Sequence, residues 1–403
     1  MQRLKPRILL GVTSDMSIRL MEGFPQFLAN RGWDVHVISS PGPQLDSLAE
    51  VAGVTTHALN MARKPAPLAD LVALIRWTIL LLRLRPDLVS VGTPKAGLLG
   101  GMSAWITRVP TRIYLLRGLP LETATGLKLT ILKVMERISF ATAHMSVAVS
   151  SSLSARAVEL NLVKSGKIRV LGAGSSNGVN LHRFRPSKPS TAGTPKGPGK
   201  PLATKLGLEF GIPIIGFVGR LTEDKGLRHM AEALQILSDR GVDYQLLIVG
   251  GLDDSAAREA LKRLEEAKRR PIQTGHVQDT APYYQLMDLL CLPTRREGFP
   301  NVVLEASASG IPTVTTDATG AVDSVIDGET GFVTQLDSAH SLANALASLL
   351  ENAELRRRMG DAARVRVHDQ YAQRLVWRNL EDFYIQSLPG GLDFRNQDTS
   401  KEG

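Results

Sequence analysis

The sequence predicts an α/β protein with two domains, each a parallel sheet covered by helices. The chain has 403 residues, which is more than one hydrophobic core usually holds. Short apolar runs typical of buried strands alternate with segments typical of helices, which is the pattern of parallel α/β architecture. The alternation stops once, at the sequence SKPSTAGTPKGPGK of residues 187–200, and then restarts. Pro, Gly, Ser and Lys dominate this stretch, so we expect it to be a flexible connection.

The order of elements supports the same division. In the first half we predict strands at 7–12, 34–39, 87–91, 112–116, 145–149 and 167–171, and helices at 17–31, 68–85, 96–107 and 126–140. In the second half we predict strands at 214–218, 244–249, 289–293, 313–316 and 332–334, and helices at 227–240, 299–309 and 341–350. The result is two Rossmann-like domains at 1–180 and 206–370, joined by a linker at 181–205. An amphipathic helix at 371–388 would return to the first domain, before a disordered tail at 389–403.

Composition excludes several classes of protein. Apolar residues make up 43% and charged residues 22%, which is typical of a folded globular chain. A single cysteine, Cys291, excludes a disulfide framework and suits a reducing compartment. The apolar run at 8–12 soon meets Asp15 and is too short for a secretory signal. Arg76 divides the longest apolar stretch, so none reaches the ~20 residues of a spanning helix. These features predict a soluble cytoplasmic protein.

Positive charge is concentrated in the first half. Residues 1–180 hold 21 Lys and Arg against 10 Asp and Glu, a net charge of +11, whereas the remaining residues carry a net charge of −2. Such asymmetry predicts that the first domain meets an anionic surface or acceptor. Nucleic acid fits poorly, because no nucleic-acid-binding motif is present and aromatic residues are only 5%. An anionic membrane is the other candidate.

The segment EGFPNVVLE, from Glu297 to Glu305, carries the strongest candidate chemistry. It follows a buried-looking strand and opens a helix near Pro300, a position where proline is tolerated. Backbone amides at a helix start form a cradle for phosphate, and Gly298 would allow a ligand to approach the backbone closely. The two flanking carboxylates could accept hydrogen bonds from sugar hydroxyls. The alternative is an ordinary helix start with two solvated glutamates.

A second candidate follows the first strand of the second domain. There the sequence reads GRLTEDKG and places Arg220 and Lys225 after the carboxyl end of a strand, where ligands bind in open α/β sheets. An arginine fork together with a lysine charge suits a diphosphate. The alternative is a turn with two exposed basic residues.

Taken together, these motifs resemble the family-4 glycosyltransferases, which are two-domain enzymes of the GT-B fold that use nucleotide-sugar donors. The resemblance covers nearly the whole chain. It implies a GT-B architecture, with the two Rossmann-like domains facing each other across a cleft. In the second half the matching segments are FVGRLTEDKG, GHVQD, YYQLMDLLCLPTRREGFPNVVLEASASGIPTVTTD and VIDGETGFV. The segment NGVN at 177–180 resembles the element that crosses between the domains, which usually ends in Asp.

The resemblance implies a role for each matching residue. Arg220 and Lys225 would hold the donor diphosphate, and Glu305 would bind the ribose. Glu297 would act on the transferred sugar as the catalytic carboxylate. The transferred sugar would also contact the segment formed by Gly298, Phe299, Pro300 and Asn301. The nucleobase would contact His276 and Val277.

The first half of the chain indicates which subgroup of this family it resembles. Its segments GVTSDMSIRLMEGFPQFLANRGWDVHVIS, VGTPKAGLLG and PTRIYLLRGLPLE resemble transferases of bacterial surface-polysaccharide assembly, which extend a sugar carried on a polyprenyl diphosphate. Gly11 and Thr13 would then face the donor sugar or diphosphate. Lys95 would contact an anion, unless it is simply an exposed loop lysine. Such an enzyme would work as a peripheral protein at the inner face of the plasma membrane.

One position departs from the family. Many members have a histidine where this chain has Arg117, at the end of the strand that begins near Ile113. Arginine cannot serve as a base near neutral pH, so it would instead neutralise charge on the departing diphosphate. His36 and His144 lie in apolar, strand-like contexts, and we predict that both are packed core residues.

The remaining expectations come from the resemblance. It implies transfer with retention of anomeric configuration, from a donor that we expect to be a UDP-linked hexose or N-acetylhexosamine. We expect no metal and no other cofactor, because Asp253 and Asp254 are better explained as the start of a helix than as an Asp-x-Asp metal motif.

The sequence is compatible with two interpretations of one helix and with more than one function. The helix predicted at 68–85 carries Arg76, Arg83 and Arg85 around an apolar body. It would suit a membrane surface, but equally a helix packed on the sheet with solvated arginines. As for function, a GT-B nucleotide-sugar epimerase and a non-catalytic sugar-nucleotide sensor are the alternatives. A nicotinamide dehydrogenase fits poorly, since the loop after the first strand reads GVTSDM and lacks the Gly-x-Gly-x-x-Gly pattern.

Overall fold

A parallel sheet of seven strands organises the first part of the chain in the computed structural model, which describes residues 5–62, 66–186, 199–266 and 269–389. Its strand order is β3-β2-β1-β4-β5-β6-β7. Every residue of β4 is buried, as expected for a central strand covered by helices on both faces. The strands are β1 Arg7–Gly11, β2 Asp34–Ser39, β3 Val54–Ala58, β4 Leu88–Gly92, β5 Thr111–Leu116, β6 Met145–Ala148 and β7 Ile168–Val170.

Helices connect these strands in sequence. They are α1 Phe24–Asn30, α2 Pro43–Ala49, α3 Pro67–Leu84, α4 Pro94–Ile106, α5 Gly126–Thr142 and α6 Ser151–Glu159, with 3₁₀ turns at Asp15–Met21, Pro120–Thr123 and Ser165–Lys167. The connections from β3 to β4, β4 to β5 and β5 to β6 all advance in the same direction across the sheet. Right-handed crossovers therefore place α3, α4 and α5 on one face. In agreement, α4 packs against both α3 and α5.

A second parallel sheet of six strands organises the later part, in the order β10-β9-β8-β11-β12-β13. Its strands are β8 Ile214–Val218, β9 Gln245–Val249, β10 Ile272–Gln273, β11 Leu289–Leu292, β12 Thr313–Thr316 and β13 Gly331–Thr334. Its helices are α7 Gly199–Leu206, α8 Leu227–Asp239, α9 Ser255–Glu265, α10 Ala281–Tyr284, α11 Asn301–Ala308, α12 Ala339–Glu351 and α13 Ala353–Tyr371, with 3₁₀ turns at Glu223–Lys225 and Val322–Ser324. Two Rossmann-like sheets confirm the predicted α/β class.

The chain divides into two units at slightly different positions from those expected. One unit contains Met1–Asn177 and Arg374–Gly403, and the other contains Gly178–Gln373. The last helix, α14 Gln373–Ser387, contributes Leu380, Phe383 and Tyr384 to the core of the first unit. The indole of Trp33 donates to Glu381 Oε1 at 3.0 Å. The apolar face of this helix is therefore buried in the first unit.

Several predicted elements need correction. The helix expected at 17–31 is broken at Gly23, whose φ of +81° is left-handed, and the first part is a 3₁₀ turn. The expected linker at 181–205 includes the start of α7, where Ala203 is completely buried. Residues 187–198 of that linker and 390–403 of the predicted tail lie outside the described residues.

Elements that the pattern did not reveal are short or half-exposed. They are α2, β3, α6, α7, β10, α10 and α13. β3 illustrates the reason, because as an edge strand it buries only Val54 fully and so lacks a continuous apolar run. In the described part of the chain, no helix combines the length and the apolar character needed to cross a bilayer.

Candidate active site

The candidate site of the second unit lies at the carboxyl ends of β8 and β11. These strands are parallel neighbours, with Leu289 in register with Ile215. From β8 the chain passes outward to β9 and β10, and then returns to the other side of β8 as β11. This reversal creates a topological switch point, which is where open α/β sheets bind ligands. The loops that carry Arg220, Lys225 and Glu297 all leave from this point.

Lys225 and Glu297 meet directly. The Lys225 ammonium donates a hydrogen bond to Glu297 Oε1, and both side chains are largely buried, with exposed fractions of 18% and 14%. The backbone amide of Glu297 donates to the Thr319 carbonyl at 2.8 Å, which fixes the loop that carries the carboxylate. The fold therefore joins the two motifs that the sequence marked separately.

Two left-handed glycines allow these loops to approach each other. Gly226 has a φ of +75°, and a Cβ atom there would overlap the carbonyl oxygen of Pro293 at the end of β11. Gly320 has a φ of +76°, and a Cβ atom there would overlap the carbonyls of Glu297 and Gly298. Only glycine satisfies both the backbone conformation and the space at these positions.

Arg220 is the exposed cation of the site. Its side chain is 66% exposed, and Nη1 donates to Asp253 Oδ2 at 2.6 Å. An exposed ion pair contributes little free energy, so the guanidinium can exchange this carboxylate for another anion. The neighbouring Asp254 caps α9 by accepting a hydrogen bond from the Ala257 amide at 2.7 Å, which confirms the predicted helix start.

Asp224 and Arg296 complete the cluster, although no sequence pattern marked them as site residues. Asp224 accepts hydrogen bonds from the Thr222 hydroxyl at 2.5 Å and from Arg296 Nη2 at 2.8 Å. Burial opposes ionisation of Asp224, but the Thr222 hydrogen bond and the Arg296 charge outweigh it and lower the pKa of the carboxyl. Both residues lie within the motifs quoted above, but their contact depends on the pairing of two loops distant in sequence.

Helix α11 opens immediately after the Glu297 loop. The residue before it, Pro300, provides no side-chain cap, and the Asn301 side chain has a buried Oδ1 without a hydrogen-bond partner. Gly298, Phe299 and Pro300 are buried, and the Phe299 ring packs on Tyr371 with centroids 5.2 Å apart. Backbone groups of this segment, rather than the Phe299 ring, are therefore the ones suited to meet a ligand at the helix start.

Glu305 lies one turn further along α11 and is half-buried. Its Oε2 accepts a hydrogen bond from the Tyr284 hydroxyl at 2.8 Å, with Thr280 Oγ1 at 3.5 Å. Burial, together with the adjacent Glu305 carboxylate, raises the pKa of Tyr284 well above its usual value, so this hydroxyl stays a donor. Tyr284 orients Glu305, a role that only the packing of α10 on α11 reveals.

His276 and Val277 lie in the loop after β10. An antiparallel bridge between Gly250 and Gly275 holds this loop beside the end of β9. His276 is exposed and Val277 is half-buried. Both residues are thus at the same edge of the sheet as Arg220, two strands away from β8.

In the first unit, Thr13 lies at the corresponding switch point between β1 and β4. Its hydroxyl oxygen is 2.7 Å from that of Thr93, and it also accepts a hydrogen bond from the Ala96 amide at 3.1 Å. Thr93 has a φ of +80°, an unusual conformation for a β-branched residue and one that clusters at functional sites. Gly11, one residue before Val12, packs against the Trp77 ring, where a Cβ atom would come within 2.8 Å of Cη2.

Lys95 differs from its expected role. Its side chain is 4% exposed and forms an ion pair with Asp70 Oδ1 at 2.8 Å. An ammonium held in this way links α4 to α3 and is not an exposed anion contact. The reason is that α4 begins at Pro94 and turns the lysine inward, which the loop sequence alone did not indicate.

Arg117 lies in a narrow cavity of the first unit lined by Gly92, Asn177, Trp377 and Tyr384. Its Nη1 donates to the Leu20 carbonyl at 2.6 Å, while Nε is buried without a hydrogen-bond partner. Burial lowers the pKa of this guanidinium to about 10, with Tyr384 opposing the shift, so it remains charged near neutral pH.

The two histidines predicted to be core residues differ in burial. His36 is 6% exposed and stacks on His57, as expected. His144 is exposed at the start of β6, so that prediction was wrong. The nearby residues Ala143 and Val147 are buried. An apolar sequence context therefore does not show whether the one polar side chain within it is buried or faces solvent.

Comparison with known proteins identifies the family. Residues 26–174 match the glycosyl transferase 4-like domain, and residues 204–366 match the glycosyl transferases group 1 domain. The chain is 35% identical over 375 residues to the capsular polysaccharide biosynthesis glycosyltransferase CapM of Staphylococcus aureus, covering 93% of this chain and 95% of that protein. The protein is therefore a glycosyltransferase, and it belongs to the family-4 enzymes of the GT-B fold.

Two further proteins are similar. An N,N'-diacetylbacillosaminyl-diphospho-undecaprenol alpha-1,3-N-acetylgalactosaminyltransferase of Campylobacter jejuni is 27% identical over 276 residues, covering 67% of this chain and 69% of that protein. The crystal structure of Anabaena HepE in complex with UDP and glucose superimposes with a TM-score of 0.76 at 17% identity, covering 94% of this chain and all of HepE. This second likeness supports the fold.

Proposed function

We propose that this glycosyltransferase moves a hexose or N-acetylhexosamine, with retention, from a UDP-linked donor to a saccharide carried on a polyprenyl diphosphate. The observation that carries the proposal is the contact between Lys225 and Glu297 at the β8/β11 switch point. It brings a cation suited to a diphosphate against a carboxylate suited to a sugar, at the edge of the sheet where ligands bind.

The donor half of the proposal rests on charge and hydrogen-bonding capacity. Arg220 and Lys225 would face the diphosphate, with the start of α11 adding backbone donors. Glu305, oriented by Tyr284, would accept hydrogen bonds from the ribose, and the loop of His276 would meet the base. HepE was solved with UDP and glucose, and its similar fold supports a uridine donor here. Because protein cations would neutralise the diphosphate, we propose that transfer needs no metal and survives chelation by EDTA.

The acceptor half rests on the relatives and on charge. CapM acts in capsular polysaccharide biosynthesis, and the name of the Campylobacter enzyme contains a saccharide joined through diphosphate to undecaprenol. An acceptor of this kind is anionic and is anchored in a bilayer. The net charge of +11 over residues 1–180 would suit it, so we propose peripheral association with the inner face of the membrane.

The experiment is a donor panel assayed with and without a polyprenyl-diphosphate-linked saccharide. Release of UDP is expected only when the lipid-linked acceptor is present. Lys225→Gln should lower kcat/KM for the donor by about 10- to 150-fold, which corresponds to the loss of one charge-assisted contact. The matched control, Lys262→Gln, removes an exposed lysine on α9 and should leave turnover unchanged.

Two outcomes would contradict the proposal. Interconversion of the donor sugar without acceptor would indicate an epimerase. Tight donor binding with no turnover on any lipid-linked acceptor would indicate a sensor.

A further inference from the structure

The outer face of α3 is apolar, although it is exposed. Six large side chains, Leu68, Leu71, Val72, Ile75, Ile79 and Leu82, are all more than 40% exposed, and Leu68 reaches 83%. At about 100° per residue these positions fall within an arc of about 100° on one side of the helix. The opposite side packs inward through Ala73, Trp77 and Leu81. The helix therefore has two apolar faces, of which the fold of this unit uses one.

This stripe belongs to a wider apolar surface. Within the described part of the chain, eleven of the seventeen exposed large apolar side chains lie on α3, α4 or α5, which cover the same face of the sheet. On α5 the exposed members are Leu127, Ile131 and Val134, again on one side of the helix. Apolar residues gathered in this way mark an interaction surface, whereas scattered ones do not.

The charges on this surface are all basic. On α3 the exposed charged residues are Arg76 and Arg83, and on α5 they are Lys128 and Arg137. The acidic residues of both helices point inward instead. Asp70 pairs with Lys95, and the buried Glu136 accepts a hydrogen bond from the Tyr114 hydroxyl at 2.8 Å. An apolar surface with basic residues at its margins complements an anionic bilayer, where apolar groups enter the headgroup boundary and cations meet phosphates.

We infer that the exposed apolar surface of α3, α4 and α5 docks on an anionic phospholipid membrane, with α3 lying in the plane of the membrane–water interface. The inference rests on the proposed polyprenyl-linked acceptor and specifies which surface brings the enzyme to it. Of the two interpretations of the helix at 68–85, it favours the membrane-surface helix. A helix that merely covered the sheet would have a polar outer face.

The experiment measures co-sedimentation with vesicles in the absence of substrates. Vesicles contain phosphatidylcholine alone or an equal mixture with phosphatidylglycerol. The wild-type protein should bind the mixed vesicles and be partly released by salt, while neutral vesicles retain much less. The triple variant Leu71→Gln, Ile75→Gln, Ile79→Gln should bind at least about 100-fold more weakly, because each side chain loses its burial in the bilayer.

The basic residues are tested separately. Arg76→Gln with Arg83→Gln should weaken binding to mixed vesicles by about five-fold per cation and should reduce the salt dependence. The matched control is Val365→Gln, which replaces an exposed apolar residue of α13 in the other unit and should bind as the wild type does. Because all substituted side chains are exposed, melting temperatures should be unchanged.

The outcomes separate this inference from the proposed function. A wild-type protein that ignores both vesicle types would overturn the docking surface, even if it glycosylates a detergent-dispersed acceptor. Vesicle binding without any transferase activity would retain the docking surface and overturn the function. If Ile75→Gln instead dissociates a dimer in light scattering and leaves vesicle binding intact, the face is a contact between two copies and the inference is wrong.

Discussion

Lys225 donates a hydrogen bond to Glu297 across 72 positions of sequence, at the point where β8 and β11 end side by side. Because both side chains are largely enclosed, each depends on the other to satisfy its charge. A cation and a carboxylate held in place in this way would present fixed charges to the diphosphate and the sugar of the proposed donor, and fixed charges of this kind favour catalysis.

The first prediction concerns Glu297, the proposed catalytic carboxylate. Glu297→Gln keeps the length of the side chain but removes its charge, and it should reduce kcat by about 10- to 150-fold, with a smaller effect on donor KM. Combining it with Lys225→Gln should cost less than the sum of the two single effects, because the residues act as a pair. Steady-state kinetics of the wild type, the two single variants and the double variant test this non-additivity. Glu329→Gln removes an exposed carboxylate and is the control, whereas strict additivity would contradict the pairing.

The second prediction concerns the proposed ribose contact. Glu305→Gln should mainly raise donor KM, since the ribose does not react. Tyr284→Phe removes the hydroxyl that orients Glu305 and should raise KM by a smaller factor with kcat unchanged. A fall in kcat with an unchanged KM in both variants would assign these residues to the chemical step instead.

The third prediction uses two glycines of similar conformation. Gly226 and Gly241 have φ values of +75° and +74°, but only at Gly226 would a Cβ atom meet a carbonyl oxygen. Gly241→Ala should therefore cost only the left-handed strain, about 1 kcal/mol. Gly226→Ala should cost several times more and should reduce activity by moving Lys225. Equal losses in denaturant unfolding would show that the loop can relax.

The fourth prediction follows from the buried position of Lys95. Lys95→Met should destabilise the first unit by about 3 kcal/mol, because it leaves Asp70 without its charged partner. The double variant with Asp70→Asn should recover part of the loss. Donor KM should be unchanged in both variants, measured at a temperature where each is folded. A raised KM without loss of stability would restore the role in anion binding.

The fifth prediction concerns pH. Burial raises the pKa of Glu136 from 4.5 to about 7, with the Tyr114 hydrogen bond opposing the shift. Between these two values the folded state holds a proton that the unfolded chain releases, so the free energy of unfolding should fall as pH rises from about 4.5 to 7. Glu136→Gln should flatten this slope in denaturant titrations across that range. The exposed Glu259→Gln should retain it, and an unchanged slope in Glu136→Gln would assign the dependence to another group.

The sequence by itself determined the α/β class, the two Rossmann-like domains and the motifs of the candidate site. These depend on local patterns, because apolar runs and cations after strand ends leave a signal in neighbouring residues. It also indicated that the last helix buries one face, since its apolar residues recur at helical spacing, whereas the unit that buries this face is seen only in the structure.

Tertiary structure decided which of those residues meet and which way they face. The sequence places both Lys95 and Lys225 in loops that follow strands. In the structure, Lys95 is buried and paired with Asp70, whereas Lys225 pairs with Glu297 at the candidate site. Leu71 and Leu81 both belong to the same apolar helix, and only packing on the sheet shows that one is exposed and the other buried. The physical reason is that direction and burial depend on residues distant in the chain, which a local pattern does not contain.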